Sequence, residues 1–199
     1  KQTAGEFWGT TAALLWQPAD VPAVLHTRWG QTGALRAGLT MAGVSVGLLL
    51  FILYRCLPQF CNVSVSFPKA IFVVCAPIII FWIACILSRT LLGEKQSGSL
   101  GGDVLIAGGA VWFAVITLAA LLTVAKLFPW GGSVSNSILF AGIALPVFIY
   151  GCSGFILSMF SGLTMISGVS HTAAGQLVMI ICAVPFFLAY VLFRTFLIP

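Results

Sequence analysis

The sequence predicts an all-α protein: a polytopic transmembrane helical bundle of about five spans, preceded by an interfacial N-terminal segment. Three observations predict it. Apolar residues make up 60% of the 199 residues and charged residues only 7%, against roughly 25% charged in a soluble domain, so the outer surface has to face hydrocarbon. The apolar residues fall into five long stretches, each close to the roughly 20 residues that a helix needs to cross a bilayer core. Alternating strands of about ten residues, which a membrane barrel requires, are not seen in the sequence.

The five stretches are 38–57, 68–91, 103–127, 136–160 and 174–197. Between them run PQFCNVSVS, GEKQSGSLGG, FPWGGSVSNS and SGLTMISGVSH, all rich in the residues that turn a chain at the membrane surface. Residues 38–199 are therefore read as one five-helix transmembrane domain. Pro77, Pro146 and Pro185 each interrupt a different span and are expected to bend it.

Residues 1–37 differ. Phe7, Trp8, Leu14, Leu15 and Trp16, then Val24, Leu25 and Trp29, are set among Thr, Gln, Asp and His, with Pro18 and Pro22 dividing the segment in two. Neither half is long or apolar enough to span. The segment is expected to lie along the interface or to pack on a partner subunit. Trp8, Trp16, Trp29 and Trp130 serve as interfacial anchors, since an aromatic ring with a polar edge favours the headgroup region. No positively charged stretch followed by a short apolar run and a small-residue cleavage site opens the chain, so no signal peptide is expected.

Charge excludes some functions. The net charge of +5 is spread along the chain, which suits contact with anionic membrane lipids and argues against nucleic acid, whose binding needs a clustered basic patch. With the N-terminus in the cytoplasm, that side carries Lys1, Arg28, Arg36, Arg89 and Lys95 and the other Arg55, Lys69, Lys126 and Arg194, a lean towards N-terminus in. All four acidic residues (Glu6, Asp20, Glu94 and Asp103) lie outside the spans or at their ends. Arg55, Arg89, Lys126 and Arg194 are placed at helix ends, where they can snorkel to the headgroups. An ion-coupled transporter keeps ionisable groups at mid-membrane, so a lone chain of that kind is not expected.

No catalytic, cofactor or metal site is expected either. His26 and His171 lack ligand spacing, and the six cysteines form no Cys-x-x-Cys. Cys75, Cys85, Cys152 and Cys182 fall in spans, where a thiol behaves as a small apolar group. Cys56 and Cys61 flank the first loop and either close a disulfide on an oxidising side or stay as two thiols. Asn62-Val63-Ser64 fits an N-glycosylation acceptor close to the membrane. Gly151-Cys152-Ser153-Gly154, with His171 and Gly175, resembles the Gly-x-Ser-Gly and His-x-x-x-Gly signatures of rhomboid intramembrane proteases. Their Ser–His dyad needs the two side chains in contact, and Ser153 is expected deep in its span with His171 near a surface.

Small residues give a helix-packing expectation instead. Gly154, Ser158 and Gly162 recur every four residues, as do Gly43 and Gly47, and this spacing lets helix backbones approach closely. Further features are shared with a known group: Leu14-Leu15-Trp16-Gln17-Pro18 in the interfacial stretch, the loop Leu92-Gly93-Glu94-Lys95-Gln96-Ser97-Gly98-Ser99-Leu100 before a glycine-rich third span, and Ser170-His171-Thr172-Ala173-Ala174 leading into the last helix. In these the chain resembles the bacterial branch of the Yip1 family of five-span membrane proteins, although the proline-bearing Gly-Tyr stretch of eukaryotic members is missing. The resemblance implies a non-enzymatic role in trafficking or assembly, through other integral membrane subunits, in a bacterial inner membrane rather than an organelle. Its competitor is a component of a channel or transporter whose path forms with partner chains, with an intramembrane serine protease third.

Overall fold

A computed structural model of the chain describes Gly9 and residues 12–13, 16–18, 21–56, 66–92, 99–128 and 134–197. Helices dominate because a chain in lipid has no water to satisfy its peptide groups and must bond them within each segment. Helix α1 (Val21–Phe51) runs on through a π turn, Ile52–Cys56. Helix α2 is Phe67–Leu92 and α3 is Leu100–Leu127. Helix α4 (Val134–Ser161) likewise ends in a π turn, Gly162–Ile166, and α5 is His171–Leu197. Five helices are long and apolar enough to cross a membrane, making this an integral, multi-pass membrane protein.

The apolar helix that carries the first candidate span runs from His26 to Arg55, so residues 31–37 are continuous in helix with the stretch 38–57. The real break is at Gly30, whose φ of 64° and ψ of −174° are not helical. Glycine takes a positive φ without steric cost, and here it sets residues 21–29 apart from the helix that follows.

Helix α3 is the centre of the bundle. In its most apolar stretch 56% of residues are buried, against 12–28% in the other four spans. Every residue from Gly101 to Phe113 is buried. Helices α1, α4 and α2 pack on it, and α5 packs mainly on α2. Glycines decide how closely. A Cβ added to Gly38 or to Gly108 would meet the backbone of the opposite helix, so α1 and α3 touch main chain to main chain. The core gathers Met41 of α1, Phe81 and Cys85 of α2, Ile106, Trp112 and Phe113 of α3, Phe155 and Met159 of α4, and Val178 and Ile181 of α5. A smaller cluster of Leu53, Ala70, Val73, Val74 and Leu192 closes the opposite end between α1, α2 and α5.

Candidate functional site: a polar cluster at one end of the bundle

Five crossings bring the starts of α1, α3 and α5 and the ends of α2 and α4 to the same end of the bundle. Four segments place polar side chains together there. Ser99 is the N-cap of α3, with extended backbone (φ −139°, ψ 155°), and its hydroxyl accepts the Gly102 amide at 3.1 Å. One turn on, Asp103 is 1% exposed. Near the end of α2, Arg89 donates its Nε–H to Asp103 Oδ2 at 2.6 Å, and its side chain is 23% exposed. Beyond α4, the Ser167 hydroxyl is 3.2 Å from the other carboxylate oxygen. From the segment before Gly30, His26 Nε2 lies 3.1 Å from Ser99 Oγ.

Local structure explains each placement. The π turn Gly162–Ile166 widens the end of α4 by one residue, with the Ser167 amide donating back to the Gly162 carbonyl, and such turns often mark functional positions. Gly168, at φ 65°, then turns the chain towards α5. The two glycines of α3 leave room for neighbours: a Cβ on Gly101 would meet the Gln31 carbonyl, and one on Gly102 the Ile166 side chain and, at 3.3 Å, the His26 ring. Burying a lone carboxylate is costly, and a partner with good geometry plus further hydrogen bonds offsets that cost. Asp103 has both.

This cluster changes two expectations. Arg89 does not snorkel to the headgroups; it turns inward to Asp103, because pairing a buried carboxylate outweighs hydrating one guanidinium. Asp103 stands at the end of its span as read, yet it is inside the protein, not at its surface. The signal was present in the sequence: opposite charges close the same short loop, at the end of one span and the start of the next.

The remaining candidates fall as follows. Gly154 and Gly162 are buried, where an added Cβ would press on Phe113 and Ile106 of α3, and Ser158 between them is fully buried. Gly43 and Gly47, expected on a packing face, are instead exposed with nothing within 4 Å of an added Cβ. The close approach of that span is at Gly38, on its other side. Trp29 packs on the core and Trp16 is 84% exposed. Trp8, Trp130, Cys61 and the side chain of Cys56 lie outside the described residues, and with them the choice between a disulfide and two thiols; so does Asn62-Val63-Ser64. Ser153 and His171 are both exposed, and the His171 ring packs on Phe160 with centroids 5.8 Å apart. Among the described residues no group of His, Cys, Asp and Glu is placed to hold a metal ion.

Chemically, the cluster holds helices together. The His26–Ser99 contact joins the segment before Gly30 to the residue whose hydroxyl caps α3 by accepting the Gly102 amide. Comparison with known proteins gives no match, whether to a protein-family model, a curated protein or a solved structure.

Proposed function

We propose that this chain is a non-enzymatic scaffold or accessory subunit of a larger membrane assembly, with a trafficking- or assembly-related role of the Yip1-like kind, in a bacterial inner membrane. The observation that carries it is the free side of α1. Thr40, Gly43 and Gly47 line one exposed face, and both glycines have open space where a side chain would stand. Lipid tails are as apolar as leucine, so spans associate through close backbone packing at small residues rather than by expelling water. The occupant that suits this face is a transmembrane helix of a partner subunit.

Co-purification after mild detergent extraction, with Gly43→Leu and Gly47→Leu, is the test. Among the described residues nothing stands within 4 Å of a Cβ added at either glycine, so folding is expected to be unchanged. Complex yield is expected to fall by a factor of roughly 5 to 150, the equivalent of overpacking a helix contact. Undiminished yield in both variants would sink the scaffold reading. The competing channel or transporter component is favoured by one feature, the buried Asp103 carboxylate at a span end, since ionisable groups in spans mark ion and substrate paths.

A further inference from the structure

We propose that residues 21–29 form a strap, hinged at Gly30 and latched by the His26–Ser99 hydrogen bond, that opens and closes over the buried Asp103–Arg89 pair.

Three features build it. The hinge is a single residue whose backbone leaves the helical region, with φ of 64° and ψ of −174°. A rotation there moves residues 21–29, drawing Trp29 from its place on the core, while the helix from Gln31 onward stays held against α3 at Gly101 and Gly38. The latch is a side-chain contact of 3.1 Å between residues 73 apart in sequence, and Trp29, beside the hinge, packs on the core. It lands on Ser99, the residue that caps α3, so the strap and the first turn of the central helix share one hydroxyl. Beneath the latch is a group worth covering. The His26 ring reaches within 3.3 Å of where a Gly102 side chain would begin, and Asp103 is the next residue.

The pair itself ties α2 to α3, and Ser167 adds the end of α4 to it. Closed, the strap keeps water from the carboxylate and leaves Arg89 as its cation. Open, it admits water or a competing cation to Asp103 from that end of the bundle. This device stands whether or not a partner helix occupies Gly43 and Gly47.

Hydrogen exchange read by mass spectrometry on the full chain in lipid nanodiscs tests it. His26→Ala is expected to speed exchange at residues 102–104 by roughly 2- to 12-fold, the equivalent of one lost hydrogen bond. Residues 108–113, deeper in the same helix, should keep their rate. His26→Gln, whose amide can donate to or accept from Ser99 Oγ, should behave as the unaltered chain. Unchanged exchange at 102–104 in His26→Ala overturns the strap. So does equal acceleration at 108–113, which would mean a loosened bundle, and so does a glutamine variant as fast as the alanine one.

Discussion

At the end that carries the polar cluster, α3 is buried residue after residue from Gly101 to Phe113; beyond Ala114 the same helix is mostly half-buried or exposed. Helix α4 repeats the contrast. Towards the cluster, Gly154, Phe155, Ser158, Met159 and Ser161 are buried, whereas across 137–150 Ala144 alone is buried among the described residues, with Leu145 60% and Ile149 55% exposed. The difference teaches what specifies contact in lipid. Large aliphatic side chains are as content against acyl chains as against each other, so they fix nothing. Glycines that let backbones meet, and polar groups that need partners, decide which helices touch and where. Both kinds of residue are concentrated at the cluster end.

The sharpest way to break this comparison is to unpair the cluster. Arg89→Ala leaves the Asp103 carboxylate buried without its partner, a loss of about 3–5 kcal/mol, and Asp103→Ala, which leaves the partly exposed Arg89, should cost less. Denaturation of the purified protein in detergent would measure it. The double variant Arg89→Met with Asp103→Leu should recover most of the loss, because two well-packed apolar groups strand no charge. A single variant as stable as the unaltered chain would show that the cluster end owes nothing to its ion pair.

A second measurement compares two glycines in one helix. Gly154→Leu forces a side chain into the Phe113 ring and should cost about 1–3 kcal/mol. Gly142→Leu, in the other half of α4, meets open space and should cost nothing in the same denaturation experiment. Equal losses would erase the distinction between the two halves.

The smallest effects separate a used hydroxyl from an idle one. Ser167→Ala removes a hydrogen bond to a carboxylate and should cost about 1.5–3 kcal/mol, whereas Ser158→Ala should be neutral or slightly stabilising. Ser158 Oγ is buried with no hydrogen-bond partner among the described residues, so alanine there takes away only an unmet need. A larger loss at Ser158 than at Ser167 would reverse the assignment.

The five spans were legible in the sequence because hydropathy over about 20 residues reports directly on lipid burial. Packing was legible only as faces. Two rows, Gly43/Gly47 and Gly154/Ser158/Gly162, have the same spacing, yet the first is open and the glycines of the second meet α3. Periodicity says which residues share a side of a helix and nothing about what stands opposite. The central place of α3 was hidden for the same reason. Arg89 and Asp103 were each placed at span ends correctly, but each was read alone, and an ion pair is a property of two ends brought together. The His26–Ser99 contact had no local signal, since its partners come from segments joined only by the fold.

Arg89 and Asp103 belong to consecutive spans and face each other across one short connection. They can therefore meet during synthesis as soon as α2 and α3 have emerged, before α4 or α5 exists. A guanidinium and a carboxylate that would each resist entering the bilayer alone then enter as an electrically neutral hairpin. Ser167, which follows α4 in the chain, can join the pair only after that helix has been made.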